Sequence, residues 1–372
     1  MQEQFDRSAG VLMPVSSLPG PYGIGTFGKK AYEFVDNLVK ARQKYWQVLP
    51  LGPTSFGDSP YASFSAFAGN PYFIDLDMLI EEGLLTKEFV DSKRWNIEDQ
   101  YVDYGLVYNS RFEVLRVAYE NSNHKELNEY KEFFTENEFW LEDYSLYRAC
   151  KDKYEGRPWS EWDKEIKFRE GETVGAFKEE LKDDMDFYKF IQFKFNEQWC
   201  KLKEYANENG ILIIGDIPIY VAMDSADVWQ NTGMFQLDEE LNPKKVAGVP
   251  PDAFSDLGQR WGNPLYDWDK MEADDFSWWR KRMEHSAKIY DVIRIDHFIG
   301  TVEYYAIPAE DSDARNGQWQ KGPGLKLINA INESIGDKHI IAEDLGIKMP
   351  EVVEVLEKSG YPGMKVLEFA FD

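Results

Sequence analysis

Four polar residues interrupt runs that are otherwise apolar: Asp216 in IIGDIPIYV (213–221), Arg294 and Asp296 in VIRIDHF (292–298), and Glu343 in IIAEDLG (340–346). An ionised carboxylate beside a buried strand is costly unless it is paired, hydrogen-bonded or used. Arg294 and Asp296 stand at i and i+2, on the same side of an extended strand, so the guanidinium can hold the carboxylate ionised. That is the state a nucleophile requires. Glu343 follows Ile340, Ile341 and Ala342, and an apolar setting that keeps its proton suits a general acid. One carboxylate kept charged and one kept protonated are the equipment of glycoside chemistry, and in retaining enzymes the two lie about 5–5.5 Å apart. The alternative for any one of these residues is structural. A lone Asp is more often a cap or a loop-anchoring ion pair, Asp216 can equally anchor the Pro218 turn, and Glu343 with Asp344 can cap the following loop. Three carboxylates on successive strands favour chemistry. His297, next to Asp296, is read either as a structural hydrogen-bonding residue or as a group that meets a sugar hydroxyl.

These residues need a scaffold that brings strand ends together. Six short apolar runs read as strands buried on both faces: VLMPV (11–15), YWQVLPL (45–51), ILIIGDIPI (211–219), DVIRIDHF (291–298), HIIAEDL (339–345) and GMKVLEFAF (363–371). Helical spacing lies between them at 28–43, 185–209, 273–289, 324–335 and 350–358. In 185–209, Phe187, Phe190, Ile191, Phe195, Trp199 and Leu202 form one face, and Gly210 ends the helix. Alternating strand and helix predicts an α/β fold, an open sheet or a barrel whose strand ends open on one face. Residues 76–205 break the rhythm with acidic, aromatic, mostly helical sequence. The expected organisation is therefore 1–75 for the first strands and a substrate loop, 76–205 for a helical insertion whose last helix rejoins the repeat, and 206–372 for strands three to six.

Composition narrows the function. The 372 residues carry 42 Lys and Arg against 67 Asp and Glu, a net charge of −25, which repels nucleic acid and anionic membrane surfaces. The 24 Phe, 21 Tyr and 12 Trp exceed what a core of this size needs, leaving flat apolar rings for binding. Two cysteines, Cys150 and Cys200, build no disulfide framework, so reduced thiols in a cytoplasm are expected. The sequence offers neither metal-ligand spacing nor a phosphate loop, and no cofactor is expected. It has no signal-type start and no apolar stretch approaching the roughly 18 residues of a membrane span.

Two loops concentrate polar and aromatic groups. SPYASFSAFAGNPYFID (59–75) is predicted to be a structured loop after the second strand, with Tyr61 its best stacking residue. GVPPDAFSDLGQRWGNPLY (248–266), holding Phe254 and Trp261, reads as a lid. For each loop the alternative is an aromatic plug that seals the rim of the fold.

Taken together with VSSLPGPYGIGTFG (15–28), RIDHFIG (294–300) and AEDLG (342–346), the phrases AGNPY and QRWGNPLY resemble bacterial 4-α-glucanotransferases, the amylomaltase or disproportionating-enzyme family of the α-amylase clan. The resemblance covers essentially the whole chain. It implies a (β/α)8 TIM barrel with helical insertions and a retaining transfer of α-1,4-glucan segments between malto-oligosaccharides, with no cofactor. Carried over, Asp296 is the nucleophile and Glu343 the acid/base. Arg294 holds the nucleophile, His297 and Tyr61 contact the adjacent sugar, and Asp216 lies nearby. Phe254 and Trp261 belong to a mobile acceptor loop, and Ser59 and Gln259 in the same two motifs are further substrate-binding candidates. Ala253 stands where many relatives carry Tyr.

The same resemblance implies a third catalytic Asp, in a His-Asp motif some tens of residues beyond Glu343. Six strands are counted where a closed barrel has eight, so the expectation is a barrel lacking its last two strands in this chain, with little or no activity by itself. An α-glucan hydrolase of the same clan and a non-catalytic glucan-binding protein are the competing readings.

Overall fold

The computed structural model describes residues 7–55, 57–98, 100–346 and 349–371. They fall into two compact units, one of Ser8–Ile213 and one built from Ile214 onward.

In the first unit, β1 (Gly10–Leu12) and β2 (Tyr45–Gln47) pair in parallel, Val11 opposite Trp46. The helix Lys29–Lys40 connects them, the right arrangement for a parallel crossover. The Trp46 ring is wholly buried, and its Nε1–H donates to the Met13 carbonyl at 2.8 Å. The Leu212 N–H, at the start of β3 (Leu212–Pro218), donates to the Lys44 carbonyl at 2.9 Å.

The remainder of this unit is largely helical. Its longest members are Tyr104–Glu120, Asn128–Lys153 and Lys182–Glu208. The last carries the predicted apolar face: Phe187, Phe190, Ile191, Phe195, Trp199 and Leu202 are all buried. Gly210, at φ +75°, follows its end, in the left-handed conformation that glycine adopts without a Cβ penalty. Phe195 and Trp199 close on the Phe27 ring at 5.2 and 5.1 Å. Two glutamines of this helix clamp the 59–75 loop. Gln192 accepts from Gly69 N–H (2.7 Å) and donates to Gly69 O (2.9 Å), and Gln198 does the same at Asp75 (2.6 and 3.1 Å). The segment is structured, as predicted, with its regular part confined to a 3-10 turn at Pro71–Phe73 capped by Asn70.

The second unit holds two sheets. In the parallel one, β6 (Val292–Asp296) lies between β3 and β9 (His339–Ala342), with Asp216 opposite Arg294 and Ile295 opposite Ala342. Ile293, Ile295 and Ile340 are fully buried. The helices Ser277–Ile289, Leu325–Ser334 and Pro350–Ser359 match the expected crossovers within a few residues.

The other sheet is antiparallel, formed by β4 (Lys245–Val249), β5 (Gln259–Pro264), β7 (Glu303–Pro308) and β8 (Gln318–Lys321) in the order β5-β4-β7-β8. The sequence reading did not anticipate it, and it changes the account of 248–266. Only 250–258 of that segment is loop; Gly248 and Val249 end β4, and QRWGNP forms β5. The sixth apolar run is also corrected. GMKVLEFAF contains no strand: residues 363–366 are irregular and Leu367–Ala370 is a 3-10 turn. One ladder bond forms before it, from Ala342 N–H to Pro362 O (3.0 Å). The next donor, Met364 N–H, goes to the Asp344 carboxylate (2.7 Å) and not to a strand carbonyl.

Candidate active site

Register brings the polar residues of the parallel sheet onto one face. Asp216 and Arg294 are paired across β3 and β6, and Asp296 lies two residues further along β6, so all three side chains emerge on the same side of the pleat. Arg294 Nη1 donates to Asp216 Oδ1 at 2.5 Å and to Asp296 Oδ1 at 2.9 Å. The two aspartates differ in access. The Asp216 side chain is 1% exposed, the Asp296 side chain 30%, so Asp216 anchors the arginine from below while Asp296 presents itself to solvent. Burial works against the Arg294 charge, but the two carboxylates outweigh it and raise its pKa above the ordinary value. The guanidinium is permanently charged.

Glu343 follows β9 and lies beside this group. Its backbone N–H donates to Ile295 O (3.0 Å) and its carbonyl accepts from Phe298 N–H (3.0 Å). Its carboxylate accepts at both oxygens: Oε2 from His297 N–H and Oε1 from Leu345 N–H, each at 2.8 Å. The residue is 8% exposed. Burial pushes its pKa up, the two N–H bonds oppose the rise, and the neighbouring Asp296 charge adds to it. Burial thus favours retention of the Glu343 proton, the direction a general acid needs.

His297 occupies left-handed backbone space, φ 54°, which costs a non-glycine residue roughly 1–2 kcal/mol. The turn aims its N–H at Glu343. Burial holds the imidazole down at about 4, so the ring is neutral at ordinary pH. Its Nε2 has no hydrogen-bond partner among the described residues. Trp261 meets this ring edge-on at 4.7 Å, and Gln259 Oε1 accepts the Trp261 indole N–H at 3.1 Å. Phe254 stands 85% exposed on the loop before β5, where Asp252 Oδ1 accepts the N–H groups of Phe254 and Ser255, both at 2.8 Å.

Asp216, Arg294, Asp296, His297, Glu343, Gln259 and Trp261 thus share one neighbourhood. Ser59 and Tyr61 belong to the Ser8–Ile213 unit, where Ser59 Oγ accepts the Tyr61 N–H at 3.3 Å. Two neighbours of the cluster were not anticipated. The buried Tyr220 ring lies 6.3 Å from both Trp261 and His297, and its signal was its place in IIGDIPIYV, four residues after Asp216. Met364 Sδ accepts from Arg294 Nε at 3.2 Å, and nothing in its local sequence marks it.

The sequence profile of the 4-alpha-glucanotransferase family, glycoside hydrolase family 77, matches residues 13–372. The chain belongs to this family. A 4-alpha-glucanotransferase of Clostridium butyricum is 53% identical over 360 residues, 96% of this chain and 74% of the relative. One from Streptococcus pneumoniae is 47% identical over 368 residues, 98% of this chain and 73% of the relative. Among solved structures, the amylomaltase of Streptococcus agalactiae in complex with acarbose superimposes with TM-score 0.94 at 44% identity, covering 98% of this chain and 74% of that one. The Corynebacterium glutamicum amylomaltase shares the fold at TM-score 0.79 and 19% identity, over 97% of this chain and 51% of that one. The α/β fold is therefore that of amylomaltase, and family 77 activity is transfer between α-glucans. Among the described residues, no helix is long and apolar enough to cross a membrane.

Proposed function

We propose that the chain transfers α-1,4-glucan segments between malto-oligosaccharides by double displacement, with Asp296 as nucleophile and Glu343 as acid and then base. The observation that carries this reading is the unequal environment of the two carboxyls: Asp296 ion-paired with a permanently charged arginine and reachable from solvent, Glu343 buried with its pKa raised. Asp296 attacks the anomeric carbon while Glu343 protonates the departing glycosidic oxygen. An acceptor hydroxyl that Glu343 deprotonates then attacks the anomeric carbon of the glycosyl ester, and its bond to the Asp296 carboxylate breaks. The neutral His297, with Nε2 free among the described residues, suits a hydrogen bond to a sugar hydroxyl.

The aromatic wall of Trp261 and Tyr220, with Phe254 on the adjoining loop, favours a sugar over water as acceptor. Ser59 and Tyr61 are proposed as further substrate contacts. A cytoplasmic location fits the free thiols of Cys150 and Cys200. Prolonged incubation with maltotriose tests the reading. Glucose together with chains longer than maltotriose is expected, against the little or no activity that the strand count alone suggests, and the Asp296→Asn variant should abolish both while still binding glucan. Only shorter sugars would make the chain a hydrolase, and turnover retained by Asp296→Asn would remove the nucleophile assignment.

A further inference from the structure

We infer that Met364 is a positioning residue for the reaction, fixing the orientation in which Arg294 grips the two aspartates; this rests on the site reading proposed above. A guanidinium presents its N–H donors in a rigid planar fork, so whatever holds one edge decides where the other points. Here Nη1 is shared between Asp216 and Asp296, at 2.5 and 2.9 Å, while the opposite edge, Nε, donates to the Met364 thioether at 3.2 Å. A thioether is a neutral and weak acceptor. It occupies the Nε–H without competing for the positive charge, which stays available to the carboxylates, and its apolar bulk keeps water from that edge.

The thioether is itself held in place. The Met364 backbone N–H donates to Asp344 Oδ1 at 2.7 Å, and the preceding Pro362 carbonyl accepts from Ala342 N–H at 3.0 Å. A Cβ at residue 363 would lie 2.7 Å from both Asp344 carboxylate oxygens, so any side chain there would push Asp344 off its hold on the loop. The segment 362–364 is thus pinned to the end of β9 at two points. The acidic neighbour of Glu343 thereby acquires a role. Glu343 faces the reaction, while Asp344 fixes the loop whose methionine orients Arg294.

The test combines a spectroscopic readout with kinetics on the intact chain carrying Met364→Leu, which keeps the volume and removes the acceptor, and Met364→Gln, whose amide oxygen restores one. In arginine-labelled protein the Arg294 Nε–H resonance is expected to be protected from exchange in the parent, lost in Met364→Leu and recovered in Met364→Gln. Single-turnover fluoride release from a maltosyl fluoride is expected to fall roughly tenfold in Met364→Leu with the half-saturating donor concentration within about twofold, the pattern of a lost transition-state interaction, and to recover in Met364→Gln. An Nε–H equally protected in Met364→Leu overturns the proposal. So does equal impairment of both variants, which would mean that the residue only fills space. Asp296→Asn in parallel separates the two claims. If that variant keeps its turnover, the nucleophile assignment fails, whereas the Nε–H resonance still reports on Met364.

Discussion

Replacing Arg294 by Met, alone and together with Asp216→Asn, measures how much of the site is held by one guanidinium. The Asp216 side chain is 1% exposed and shares Nη1 at 2.5 Å. Removing one partner of a buried pair costs roughly 3–5 kcal/mol, because the other charge is left behind. Asp296 is 30% exposed and sits 2.9 Å from the same nitrogen; water screens it, so its share is less than about 1 kcal/mol. Arg294→Met should therefore destabilise the β3–β6 pair by about 3–4 kcal/mol, most of it from Asp216. The double variant leaves an amide beside a thioether and no buried charge, the exposed Asp296 being screened by water, and should recover about 2 kcal/mol of that loss as a coupling energy. Because the chain has two compact units, a global melt would mix their transitions. Hydrogen exchange of peptides covering 212–218 and 292–296 reads the right place. A loss of about 3 kcal/mol accelerates exchange there by roughly a hundredfold. If the double variant exchanges as fast as the additive sum of the singles, Asp216 is not the carboxylate the arginine neutralises.

Two further expectations concern pH. Burial keeps the Glu343 proton beyond the ordinary range of a glutamate, and a general acid works only while protonated, so donor cleavage should fall as pH rises through that raised value. Glu343→Gln should remove this limb from the single-turnover pH profile and slow cleavage of an unactivated maltodextrin by about a thousandfold. His124, among the rings of Tyr119, Tyr130 and Phe190 with its Nδ1 on Ser122 Oγ, is lowered to about 4 by burial, with Lys125 and Lys194 adding and Asp186 opposing. The unfolded chain takes up this proton first, so its contribution is complete above about pH 6.5 and is lost as pH falls toward 4, on the order of 2 kcal/mol in all. Hydrogen-exchange protection factors of peptides covering 119–130, parent against His124→Asn, should converge across that window as pH falls. Parallel curves would contradict this.

How much of this was readable depended on the kind of signal. Ile213, Ile214, Ile217, Val292, Ile293, Ile295, Ile340 and Ile341 announce buried parallel strands by β-branching alone, and Arg294 with Asp296 at i, i+2 announces a shared face. The antiparallel sheet gave no comparable sign. KVAGV, QRWGNP, EYYAIP and QWQK are short, mixed in polarity and punctuated by Gly and Pro, and their pairing is set by contacts far apart in sequence. GMKVLEFAF had the composition of a strand, but the Asp344 side chain takes the N–H that would have continued its ladder. At the site, side-chain types were legible and backbone geometry was not. The left-handed turn at His297, which delivers an N–H to Glu343, has no sequence mark because a histidine there carries no glycine-like cue. The thioether on Arg294 Nε arises between residues 70 positions apart.

The most direct test of the two-carboxylate account is to trap its intermediate. Glu343→Gln protein still cleaves maltosyl fluoride, whose leaving group needs no proton, but lacks the base that activates an acceptor, so the glycosyl ester should accumulate. Mass spectrometry of the quenched, digested protein is expected to find one maltosyl increment, on the peptide containing Asp296. An increment on any other carboxylate, or fluoride released with no adduct at all, would contradict the account.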